Sequence, residues 1–165
     1  MSTLIAVLLP ALAMPIALLL AGGRDGLPRL LVLTSWPVEL WILALGGLLA
    51  TVAGVLDWRF HRNGGRRIPR AEHRAEFLAL ALGAPLFGLL CTASLRADPT
   101  PLLVPITAIA LVMAGLITFD ETRFHRACGR YETLLHRTLV GGNGVAFLAW
   151  LHWCFARGVA HAVGG

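Results

Sequence analysis

The sequence predicts an all-α, polytopic integral membrane protein, a bundle of four to five transmembrane helices in one domain over residues 1–165. Three observations carry that prediction. Hydrophobic residues make up 57% of the chain, charged residues only 14%, and mean hydropathy is +0.74; a soluble domain carries about 25% charged residues. The apolar residues are gathered into runs close to the ~20 residues that cross a ~30 Å hydrocarbon layer. The runs are uniformly apolar and lack the period-two alternation of a membrane barrel.

The first run, residues 4–22, is broken by Pro10 and Pro15. No basic stretch precedes it, so it reads as a span and not as a secretory signal. Membrane helices tolerate proline, and a kink is expected near Pro15. Residues 23–37 contain Arg24, Asp25, Pro28 and Arg29 and read as a loop lying partly in the interface, with Trp36 and Trp41 as aromatic anchors. Four more spans follow at residues 38–56, 77–95, 102–119 and 139–155.

Charge sets the expected orientation. Net charge is +5, the sequence pI is 10.4, and all 14 basic residues are Arg. Residues 57–75 hold Arg59, Arg62, Arg66, Arg67, Arg70 and Arg74, and residues 120–137 hold Arg123, Arg126, Arg130 and Arg137. The loop at 96–101 has only Arg96, offset by Asp98. The positive-inside rule places the two arginine-rich loops in the cytoplasm, with the N-terminus inside and the C-terminus outside if there are five spans. The absence of Lys points to a GC-rich bacterial genome and so to a bacterial inner membrane. Basic charge in short loops is topogenic, which argues against a nucleic-acid partner. Three scattered cysteines, Cys91, Cys128 and Cys154, argue against a disulfide framework and read as small buried hydrophobes.

The chain also shows an internal repeat. Asp57-Trp-Arg-Phe-His-Arg62 resembles Glu121-Thr-Arg-Phe-His-Arg126, and Glu72-xxx-Glu76 aligns with Glu132-xxx-His136 after a four-residue insertion in the first copy. Phe87 then falls on Phe147. The two hairpins, residues 38–95 and 102–155, would form a parallel duplication.

The repeat concentrates ionisable residues where four helices meet the cytoplasmic face. The pairs Asp57/His61, Glu72/Glu76, Glu121/His125 and Glu132/His136 are all spaced i, i+4. That spacing puts both members on one helix face, with Cβ atoms ~6 Å apart. Five carboxylates and three imidazoles from four helices are enough donors for two metal ions, with the ligand mixture used by di-iron and di-manganese carboxylate bundles. Carboxylate and imidazole together suit iron, with manganese or zinc as alternatives. The i, i+4 spacing differs from the Glu-x-x-His of those bundles, and the HxxxH and HxxHH motifs of membrane desaturases are absent. The competing structural role is plain ion pairing, with the acids at the starts of spans also complementing the helix dipole.

Other residues carry weaker signals. Glu39 reads as a dipole partner at a helix start. His73 points ~100° away from Glu72 and reads as a surface or supporting group. His152 and Cys154 lack a partner in the sequence, and Cys128 reads as a surface thiol. Asn143, among Gly141, Gly142 and Gly144, lies where helices approach closely or where a substrate is touched. No ionisable residue falls in mid-membrane, where transporters place them.

The expected function is an integral-membrane metalloprotein, a dinuclear, di-iron-like oxidoreductase acting on a lipid-soluble substrate at the cytoplasmic membrane face. Its expected partners are membrane lipid, that substrate and a membrane-protein partner. The alternative is a non-enzymatic accessory subunit or assembly factor of a membrane complex, held by helix packing.

Overall fold

The computed structural model describes residues 32–63, 69–96, 98–124 and 128–163. The expected first span at residues 4–22 lies outside the described residues, as does His125. The described residues form an all-helical membrane protein with four helices long and apolar enough to cross a bilayer. These are α1 (Val38–Arg62), α2 (Arg70–Leu95), α3 (Leu103–Arg123) and α4 (Arg130–Val163). Short 3-10 turns at Leu33–Ser35 and Thr100–Leu102 lead into α1 and α3.

The helices outrun the apolar spans. α2 begins at Arg70, directly after Pro69, and α4 begins at Arg130, after Gly129. Their first turns are rich in Arg, Ala, Glu and Leu, which are good helix formers, so the backbone stays helical where hydropathy has already fallen. Each opens with an acid in the first turn, Glu72 in α2 and Glu132 in α4, while α1 closes on Arg59, His61 and Arg62. Both placements complement the helix dipole.

α1 packs chiefly on α4 and α2 chiefly on α3, the helix that follows it in the chain, so each helix leans more on the other hairpin than on its partner within its own hairpin. The α1–α4 contact is antiparallel and very close. A Cβ on Gly142 would sit 2.7 Å from the Gly46 carbonyl oxygen, and one on Gly46 would sit 2.9 Å from the Gly142 oxygen. Buried Ala50 and Ala53 on α1, and Ala146 and Ala149 on α4, continue the two small-residue surfaces. Apolar attraction between helices is weak in lipid, so close backbone approach is what holds such a pair.

α2 meets α4 at the end remote from the arginine-rich loops. There Phe87 stands edge-on to Trp150 at 5.4 Å, and Trp150 Nε1 donates to Ser94 Oγ at 2.8 Å. The main apolar core sits at this end, around Leu40, Leu90, Ile106 and Trp150. The opposite, arginine-rich end is held differently, by ionisable side chains.

Candidate metal centre

At the arginine-rich end α1 brings Asp57 and His61, α3 brings Asp120 and Glu121, and α4 brings Glu132 and His136, while Glu72 and Glu76 lie near the start of α2. Three of the carboxylates are almost wholly removed from solvent: Glu72 is 1% exposed, Asp120 3% and Glu132 4%. A carboxylate so buried needs cationic or hydrogen-bonding neighbours to remain ionised.

Two imidazoles are among those neighbours. His61 Nε2 lies 3.7 Å from Asp57 Oδ1 and 3.5 Å from Glu132 Oε1. His136 Nε2 lies 3.9 Å from Asp120 Oδ2 and 3.5 Å from Glu121 Oε2. The second oxygen of Glu121 accepts from Arg137 Nε at 3.4 Å. Glu132 and His136 are one turn apart on α4, so the two triads lie side by side on a single helix face. Phe60 packs edge-on against both the His61 ring and Tyr131.

The imidazole–carboxylate separations have chemical meaning. Charge-assisted N–H···O bonds run about 2.7–2.9 Å. Two donors bound ~2.1 Å from one tetrahedral ion stand ~3.4 Å apart. The observed range of 3.5–3.9 Å is closer to the second figure. Among the described residues, no three His, Cys, Asp or Glu side chains close tightly enough to hold a metal ion as they stand.

Of the expected ligands, the structure groups Asp57 with His61 and Glu132, and Glu121 with His136. Glu72 is buried at its helix start. Glu76 is partly exposed and lies 3.9 Å from His73 Nδ1, and the largely exposed His73 is the surface group its helix position predicts. Asp120 is the residue that sequence reasoning missed. It continues the inward stripe of α3 through Ile106 and Met113, but the acid-xxx-His spacing drew attention to Glu121, one position on. A second omission lies at the other end of the bundle. Glu39, read only as a dipole partner, holds His152 Nδ1 at 3.0 Å through Oε1, and Cys154 Sγ sits 3.4 Å from Ser94 Oγ. Both involve helices distant in sequence, which local patterns do not reveal.

Comparisons with protein-family models, with curated proteins and with solved structures gave no match.

Proposed function

We propose that this chain is an integral-membrane metalloprotein that binds two transition-metal ions at the arginine-rich ends of its helices. The observation carrying this reading is the pair of imidazole–carboxylate triads on the shared face of α4, at 3.5–3.9 Å separations. Asp57, His61 and Glu132 would hold one ion, and Asp120, Glu121 and His136 the other. Glu72, Glu76 and His125 are the further candidate ligands. Oxygen and imidazole donors suit iron, with manganese or zinc as alternatives. A dinuclear iron site beside the bilayer would serve an oxidoreductase acting on a lipid-soluble substrate. The arginine-rich loops orient this end toward the cytoplasm of a bacterial inner membrane.

The reading of two duplicated hairpins goes with this proposal: α1 pairs with α4 and α2 with α3, the first pair far more extensively. Exchanging the hairpins about an axis along the membrane normal maps one pair onto the other.

Elemental analysis of detergent-purified full-length chain tests the proposal: about two equivalents of one transition metal are expected per chain after exhaustive dialysis. A metal-free protein with unchanged folding would make these groups an ion-pair belt and leave a non-enzymatic accessory subunit of a membrane complex as the reading. Orientation has its own test. Cysteines introduced at residues 62–67 and 126–130 should resist impermeant reagents in intact cells, and rapid labelling would reverse the topology.

A further inference from the structure

Between the arginine-rich end and the far-end core, three helices open at the same depth. α2 has buried residues at Ala75 and Leu86 but none between them. α3 has Ile106 and Asp120 buried and none between. α4 has Leu135 and Ala146 buried and none between. Each gap starts within about two turns of the arginine-rich end and spans about 15 Å of helix or more.

Asn143 stands in this opening. It is seven residues from both His136 and Trp150, and a heptad returns to the same helix face within ~20°. His136 meets α3 and Trp150 meets α2, so Asn143 faces the same helices. The positions about one turn away on the same face, Leu139, Ala146 and Phe147, are buried or half-buried, yet Asn143 itself is exposed. Across from it on α2, Gly83 lies one turn before Phe87, which touches Trp150; a Cβ there would meet nothing within 4 Å. The remaining inward positions, Ala79, Met113 and Ile117, are half-buried and apolar.

An inward groove lined by alkyl groups with a single amide is the composition of a small-molecule site, where one polar group fixes orientation. A side-chain amide at hydrocarbon depth is unfavourable unless it is hydrogen-bonded. We propose that the space between α2, α3 and α4 is a binding groove for a long-chain lipid-soluble molecule carrying a neutral carbonyl or hydroxyl, which Asn143 hydrogen-bonds. Asn143 lies ~10 Å along α4 from His136. A ligand anchored there would present a carbon several methylenes from its polar group to the triads. The substrate role rests on the metal reading above; the binding groove does not. The chain's own apolar run at residues 4–22 is the rival occupant, but it carries no hydrogen-bonding side chain to meet the amide.

The test uses the full chain in phosphatidylcholine nanodiscs with two photoactivatable probes, a long-chain methyl ester and the matching alkane, each with a mid-chain diazirine. The ester should label residues 79–83, 113–117 and 139–143 about fivefold more than the alkane, the effect of one hydrogen bond. Asn143→Leu should remove that preference while keeping the metal content of the unmodified chain. Equal labelling by ester and alkane would overturn the groove, as would an unchanged preference in Asn143→Leu. So would crosslinking to residues 4–22 by a benzoylphenylalanine placed at 143. Ester labelling of a metal-free protein would remove only the metal reading, and a metal-loaded protein without the preference would remove only the groove.

Discussion

The two ends of the bundle use the same residue types in opposite ways. At the far end, Glu39 and His152 form a direct contact at 3.0 Å, although the His152 side chain is 62% exposed. At the arginine-rich end, His61 and His136 are only 15% and 14% exposed, yet they stand 3.5–3.9 Å from their carboxylates. Burial ordinarily favours the tighter pair, because solvent no longer competes. The far end is a completed hydrogen bond, whereas the buried end holds its imidazoles and carboxylates at wider spacing; the proposed metal ions would sit between them.

The comparison breaks most visibly through metal. His61→Ala and His136→Ala should each weaken metal binding by more than ~100-fold, beyond the usual loss for a supporting residue. His152→Ala should retain full stoichiometry. Metal titration of the three proteins checks this, and equal losses would erase the distinction between the ends. The next largest effect is steric. Gly142→Leu forces a side chain where even a Cβ lies 2.7 Å from backbone oxygen, and should cost about 1–3 kcal/mol or more in thermal unfolding. Gly144→Ala, where a Cβ would meet nothing within 4 Å, should change stability by less than ~0.5 kcal/mol.

A smaller effect is expected at the far end. Trp150→Phe removes the bond to Ser94 and should cost about 0.6–1.7 kcal/mol, the range of interhelical hydrogen bonds in membranes, with metal content unchanged. Metal loss in that variant would show that the ends are not independent. The smallest effect concerns Asp98, exposed in the connection between α2 and α3. Hydrogen bonds from Thr100 hold its carboxyl below the usual carboxylate range. A lowered folded-state pKa stabilises above the unfolded value of about 3.9, and the benefit fades as pH falls through the folded value. Asp98→Asn should therefore lower the melting temperature slightly at neutral pH and have no effect at strongly acidic pH.

Much of the fold is legible in the sequence because lipid demands uniform apolarity, and runs such as 77–95 satisfy it openly. Helix ends are less legible. Residues 70–76 and 130–138 are too polar to belong to a span, and only their i, i+4 pairs and backbone propensity mark them as helix. The glycine patch at 141–144 signals close packing, yet only Gly142 makes it; at ~100° per residue its glycine neighbours point elsewhere. In the site, the i, i+4 pairs foretell Asp57 with His61, whereas Glu132 against His61 and Asp120 against His136 depend on which helices pack. Glu39 with His152 is the extreme case, with 113 residues between the partners.

The α1–α4 pair is pinned at three heights: Glu39 to His152, Gly46 to Gly142, and His61 to Glu132. α3 reaches α4 through long side chains at one end, and only 6% of its most apolar stretch is buried, against 39% for α1. The molecule is therefore a rigid two-helix strut carrying a looser leaf. Local opening follows the weakest contacts first, so breathing will part the seam between α3 and α4 while the strut stays whole.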